Sequence, residues 1–390
     1  MDLQKSVLLN NLKKAQELLG TDENDEYHEG ENEEDFVGDL PSFTNNAKKQ
    51  PKSSFNSGKN LPSETALPQW NDFLQHRNVF TINNHRFNYF YSLFDTNAIE
   101  NCKSIPVFIF HHGAGSSALT FAMLIKILQE KYAGACACFT FDARGHGGTQ
   151  FIDDSVDTYS LNDFVDDFNA NIENFIDNHL KPCSPASLEK ISITLVGHSL
   201  GGSICTNVFP ILKDNIKNKV VGVCMLDIVE EAAILALDRM ELFLQTTPFN
   251  FNNMKDAISW HVNRGMPNDK PSAEISIPPL FKQDIISGGV SRVTDLSFFT
   301  SYWSTWFKGL SSKFVDLKTS KLLILAGNDN LDKDLIVGQM QGKYQLVIFQ
   351  ESGHFIQEDN SLKTAITLMD FMHRNDNKNV VIKTNWGAHK

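Results

Sequence analysis

The segment from Ile191 to Val196 is an unbroken apolar run that ends in Gly197-His198-Ser199-Leu200-Gly201, and a helical pattern follows to about Leu212. Few features constrain a fold so tightly. G-x-S-x-G in this setting demands a very tight strand-to-helix turn with the serine strained at its apex. Gly197 and Gly201 avoid side-chain collisions there, and Gly202 lets the helix pack closely. The turn lifts a hydroxyl above the carboxyl edge of a sheet, in front of a helix N-terminus whose dipole favours negative charge. Ser199 is therefore read as a nucleophile. The bland alternative is a glycine-rich turn, and the strand and helix on its flanks argue against it.

The rest of the chain supplies that sheet. Val79 to Ile82 and Arg86 to Ser92 read as a hairpin turning at Asn83-Asn84. Val107 to Phe110, Cys136 to Phe141, Val220 to Leu226, Leu322 to Leu325 and Tyr344 to Phe349 are further strands. Helical patterns over about 117–131, 159–180 and 361–373 lie between and after them. Apolar strands alternating with helices specify a mostly parallel central sheet flanked by helices, and with the serine turn they specify an α/β-hydrolase fold. The rhythm breaks from Ile228 to about Phe314, an aromatic-rich insertion expected to form a helical cap over the site. Trp260, Phe298, Phe299, Tyr302, Trp303, Trp306 and Phe307 are expected mostly in the core of that cap.

A serine hydroxyl is a weak nucleophile and needs a base. Among the 12 histidines, His354 fits the chain order serine, acid, histidine, because it follows the last strand and precedes the last helix. His198, though next to Ser199, is expected to point elsewhere. Two aspartates end strands between Ser199 and His354, namely Asp227 and Asp329. Either suits the role of holding the histidine tautomer, and the residues alone favour Asp329 slightly. The oxyanion of acyl transfer needs two backbone N–H groups. Leu200, next after the nucleophile, supplies one; the loop His112-Gly113-Ala114-Gly115 supplies the other, from Ala114. Asp142 and Arg144, in Asp142-Ala143-Arg144-Gly145-His146-Gly147, read as braces for the neighbouring nucleophile turn.

Composition removes other classes. A net charge of −12 argues against nucleic acid and anionic membranes as partners. The apolar fraction of 41% is enough for a sizeable core. Six cysteines lack Cys-x-x-Cys spacing, so no metal or other cofactor is expected. They read as reduced thiols of a cytoplasmic or nuclear protein, not a secreted one, and no signal peptide is apparent. Residues 1–66 read as a largely disordered acidic and polar region with a short helix over 6–19, leaving 67–390 as the hydrolase domain. Dehalogenase and epoxide hydrolase chemistry is disfavoured, since both place an aspartate where Ser199 stands.

Several segments are less generic. They are Met225-Leu226-Asp227-Ile228-Val229-Glu230, Leu331-Asp332-Lys333-Asp334, Gly338-Gln339-Met340-Gln341-Gly342-Lys343 and Gly353-His354-Phe355-Ile356-Gln357-Glu358-Asp359. With His112 to Leu119, they make the domain resemble the protein phosphatase methylesterases. The resemblance implies a serine carboxylesterase that demethylates the carboxy-terminal leucine of the type 2A protein phosphatase catalytic subunit, which is then both substrate and partner. It maps the triad onto Ser199, Asp227 and His354, which moves the acid to Asp227 and leaves Asp329 in reserve. It also implies a phosphatase-binding role separable from catalysis. A generic small-ester carboxylesterase and a non-catalytic phosphatase-binding regulator on this fold are the alternatives.

Overall fold

Side chains along the central strands alternate between two cores. Val107 and Ile109 feed one, Phe108 and Phe110 the other; Val223 and Met225 oppose Cys224 and Leu226 in the same way. A strand buried on both faces has no polar side to show, which is why these segments read as unbroken apolar runs. The computed structural model describes residues 66–379, apart from 154–156, 285–287 and 328–330. The helix expected over 6–19, the rest of the N-terminal polar region up to residue 65, and Asp329 lie outside the described residues.

The strands are β1 (His76–Ile82), β2 (His85–Ser92), β3 (Ile105–His111), β4 (Ala137–Phe141), β5 (Gln150–Phe151), β6 (Ile191–His198), β7 (Val220–Leu226), β8 (Asn250–Phe251), β9 (Phe281–Gln283), β10 (Val290–Arg292), β11 (Ser320–Ala326) and β12 (Gln345–Phe349). The main sheet runs β1-β2-β4-β3-β6-β7-β11-β12, with β5 on the edge of β2. β1 and β2 form the expected hairpin and β2 pairs antiparallel with β4; from β4 to β12 every pairing is parallel. The order reverses at β3, whose neighbours are β4 and β6. Such a switch point opens a crevice beyond the carboxyl ends of the strands.

The helices used below are α1 (Ala122–Lys131), α2 (Leu161–Phe175), α3 (Leu200–Val208), α4 (Glu230–Leu237), α5 (Met240–Thr246), α6 (Met254–Asn263), α7 (Lys270–Ser276), α8 (Leu310–Asp316), α9 (Lys333–Met340) and α10 (Ser361–Asn375). Local chemistry sets their starts. Ser160 caps α2 by accepting from the Asp163 amide, while the Asp163 carboxylate accepts from the Ser160 amide at 3.0 Å. Asp332 caps α9 from the Leu335 amide at 3.1 Å.

Between β7 and β11 the chain forms the insertion, and it differs from the expected helical cap in two respects. It contains a small antiparallel sheet, β8-β10-β9. Strands of two or three residues are too short to show a period of two in sequence. Its aromatic residues are also divided. Phe299, Trp303, Trp306 and Phe307 join the core of the main sheet rather than a cap core. The Trp306 indole donates to the Tyr159 carbonyl at 2.8 Å. The cap's own core is smaller and mostly aliphatic, built on Ala257, Ile258, Ala273, Ile277, Leu280 and Phe281.

Candidate active site

The turn after β6 has the geometry its sequence demands. Ser199 sits at φ 53° and ψ −121°, a conformation that costs about 1–3 kcal/mol. A Cβ on Gly197 would collide with the Gly201 carbonyl, and one on Gly201 with the His111 carbonyl. Glycine at both positions is thus a steric requirement. Hydrogen bonds hold the strained turn in place. The Ser199 amide donates to the Leu226 carbonyl at 3.0 Å, and the Gly202 amide to the Ser199 carbonyl at 2.8 Å. α3 starts at Leu200 with its N-terminus behind the serine.

The same ladder positions the acid. Asp227 follows Leu226 directly, also has a positive φ of 53°, and donates its amide to the Ile324 carbonyl of β11 at 2.8 Å. Its Oδ1 accepts from the Ala326 amide at 2.7 Å, and its Oδ2 lies 2.7 Å from His354 Nδ1. The carboxylate is buried, its side chain 7% exposed against 38% for His354. A carboxylate so placed fixes the imidazole with Nδ1 protonated, leaving Nε2 to take a proton.

His354 is held from behind as well. His198 Nε2 donates to the His354 carbonyl at 2.8 Å, and the two rings lie 4.7 Å apart between centroids. His198 was expected to point elsewhere than at Ser199; its ring meets the His354 carbonyl and supports the loop of the base. Its place as the last residue of β6, at the same sheet edge, was the only signal in the sequence. Burial, reinforced by His354 and His112, holds His198 neutral by lowering its pKa well below the usual range. Asp359 clamps the same loop, accepting from the Gly353 amide at 2.7 Å and from the Asn268 amide and side chain at 2.7 Å each.

The glycine loop after β3 lies against the nucleophile. A Cβ on Gly113 would fall 3.0 Å from Ser199 Cβ. Among the described residues, the Ala114 and Leu200 amides donate to no protein acceptor. Two buried histidines that the sequence did not single out fasten this loop. His112 Nε2 accepts from the Ala143 amide, and His146 Nε2 accepts from the Gly115 amide, each at 2.9 Å. Desolvation lowers their pKa values to about 4 and about 3, so both rings stay neutral acceptors.

Asp142 and Arg144 brace different parts from those expected. Asp142 accepts from the Ala118 and Gly148 amides at 2.8 and 2.7 Å, which ties down the chain beyond the glycine loop rather than the serine turn. Arg144 makes a bidentate pair with Asp167 of α2 at 2.6 and 2.9 Å and donates to the Thr158 carbonyl. Both belong to the frame around the site. No group of His, Cys, Asp or Glu residues among those described has a metal-binding arrangement.

Taken together, a serine on a strained elbow, an imidazole paired to a buried carboxylate, and two amides without a protein acceptor, one after the serine and one in the adjoining glycine loop, suit nucleophilic acyl transfer. Comparison with known proteins agrees. A family model described as "Alpha/beta hydrolase family" matches residues 108–365. Protein phosphatase methylesterase 1 of Saccharomyces cerevisiae is 47% identical over 100% of this chain and 98% of its own length. The protein of the same name in Candida glabrata is 50% identical, over 99% of this chain and 98% of its own. Among solved structures, E-2-(acetamidomethylene)succinate hydrolase covers 76% of this chain and 98% of its own, with a TM-score of 0.57 at 18% identity. A thioesterase domain from the curacin biosynthetic pathway covers 75% of this chain and 98% of its own, at a TM-score of 0.54 and 17% identity. These two speak to the fold alone. The chain belongs to the protein phosphatase methylesterase family of α/β hydrolases.

Proposed function

We propose that this protein is a serine carboxylesterase that removes the methyl ester from the carboxy-terminal leucine of the type 2A protein phosphatase catalytic subunit. The reading rests on the Asp227–His354 pair, 2.7 Å apart beside the Ser199 elbow, in a chain aligned almost end to end with methylesterases. Ser199 Oγ attacks the ester carbonyl while His354 Nε2 takes its proton. The Ala114 and Leu200 amides hold the oxyanion. The tetrahedral intermediate collapses, and methanol leaves with the proton that His354 returns. Water, deprotonated by His354 in its turn, attacks the acyl-enzyme and frees the leucine carboxylate and Ser199. Asp227 keeps the imidazole in its working tautomer and stabilises its cation.

The test is incubation with carboxymethylated phosphatase, following loss of the methyl group. Wild type removes it and Ser199→Ala does not. Retention of activity in Ser199→Ala sinks the mechanism. Broad hydrolysis of short esters with none on the methylated phosphatase favours a general carboxylesterase instead. We place the protein in the cytoplasm or nucleus. Its six free thiols, four of them buried, support a reducing compartment. A fluorescent fusion found in secretory organelles would overturn that placement.

A further inference from the structure

Arg292, at the end of β10, is the cation of a small cavity beside the glycine loop. Ala114, Gly115 and Ser116 line one side; Phe243, Leu296 and Arg292 belong to the cap side. The guanidinium is partly buried, yet among the described residues no carboxylate lies within ion-pair distance of it. Its Nη2 lies 2.8 Å from His261 Nε2, its Nε donates to the Pro248 carbonyl at 3.2 Å, and it stacks on the Phe281 ring at 5.1 Å.

These contacts orient a charge without neutralising it. His261 Nδ1 sits 2.7 Å from the Ala257 carbonyl and so carries the ring proton, which leaves Nε2 as a neutral acceptor for Arg292. Burial and the neighbouring guanidinium lower the His261 pKa to about 3, so the ring adds no charge at neutral pH. One carboxyl group lines the cavity, that of Glu358. It is 3% exposed, bonded to the Ser276 and Thr120 hydroxyls, and burial raises its pKa to about 8. Glu358 therefore stays protonated and leaves the cation uncompensated. In a chain of net charge −12, a partly desolvated arginine lacking a counter-ion at the edge of the active site is unusual.

We propose that Arg292 is a specificity-determining residue that binds a carboxylate side chain of the substrate peptide, a few residues before the ester. This inference rests on the esterase reading above. The scissile ester is itself neutral, and Ser199 does not line this cavity. The anion that Arg292 awaits is consequently another group of the same tail. A planar fork of donors fits a carboxylate better than a point charge does.

The experiment uses full-length protein carrying Ser199→Ala, which leaves the ester intact, and short peptide methyl esters ending in leucine. Each peptide has Asp or Glu at one of the positions just before the leucine, with a matched Asn or Gln partner. Titration calorimetry is expected to show one acidic peptide binding about tenfold tighter than its amide partner. Adding Arg292→Met erases that ratio, and Arg292→Lys keeps only part of it. Equal binding of acid and amide peptides in the Ser199→Ala protein overturns the inference even if every Arg292 variant misfolds. Persistence of the ratio in a folded Arg292→Met protein overturns it too. Demethylation of intact phosphatase without any such preference sinks this inference alone. Failure to demethylate sinks the reading beneath it as well.

Discussion

The carboxyl edge of the sheet and the cap above it are held together by different physics. At the sheet edge, Ser199, Asp227 and His354 each follow a strand, and a hydrogen-bonded ladder runs from Ser199 to Leu226, from Asp227 to Ile324 and from Gly327 to Phe349. The strands beneath are buried on both faces. In the cap, α4 and α5 have no buried residue at all, and Ile234, Leu235 and Leu242 are exposed. Besides the aromatic residues of the insertion that enter the main core, polar clamps join the cap to the base. Glu230 accepts from the Gly309 and Ser311 amides at 2.6 and 3.0 Å, closing the two ends of the insertion on each other. Asp359 and Glu358 hold its far side. The difference teaches that the chemistry resides where backbone position is over-determined, whereas the cap is free to specialise for a substrate.

Five measurements sharpen or break this contrast. The largest effect belongs to the sheet edge. Ser199→Ala is expected to lower kcat for demethylation by about 10⁴-fold or more, and Asp227→Asn by about 10⁴-fold through the wrong histidine tautomer. Full activity in Asp227→Asn together with its loss in Asp329→Asn would move the acid to the loop after β11. Next, Arg144→Met strands Asp167, which is 1% exposed, as an unpaired buried carboxylate. Urea unfolding is expected to show a loss of about 3–5 kcal/mol. A loss no larger than that of a surface mutation would mean that the frame around the site is as loose as the cap.

The third measurement concerns a clamp. Folded Glu358 keeps its proton up to about pH 8, whereas its ordinary pKa is 4.5, so the folded state binds the extra proton between those values. Its contribution to stability is complete below about pH 4.5 and is lost as pH rises through about 8. Glu358→Gln should flatten that part of a stability-versus-pH curve; an unchanged slope refutes the buried neutral acid. Fourth, His198→Ala removes a support rather than a reacting group. Its kcat should fall roughly 10- to 100-fold with little change in KM, since a small misplacement of the base suffices. A change in KM alone would contradict a positioning role. The smallest effect is expected in the cap, where Leu242→Ser on α5 should shift stability by no more than about 0.5 kcal/mol in thermal melts. A large loss there would erase the contrast altogether.

The residues that could be read from sequence share a property: their neighbours in the chain are the neighbours that matter. Ser199 was visible because its strand, its glycines and its helix are contiguous. His354 and the glycine loop were visible through chain order. The acid was not, because Asp227 and Asp329 both follow strands after the nucleophile, and only the resemblance chose between them. The supporting roles of His112, His146 and His198 could not be read because their partners, Ala143, Gly115 and the His354 carbonyl, lie 31, 31 and 156 positions away. Three of the less generic segments carry clamps. Glu230 closes the cap, and Asp332 caps α9 while also bonding Ser311 of α8.

Sequence alone determined the sheet-and-helix alternation, the elbow at Ser199 and the place of the cap in chain order, since apolar periodicity and glycine sterics are local properties. Tertiary structure decided which carboxylate meets His354, which histidines hold the loops, and that Arg292 stands in a cavity whose carboxyl lining group is protonated. Those facts depend on distances between strand ends and on burial, which arise only when the sheet has closed and water has left.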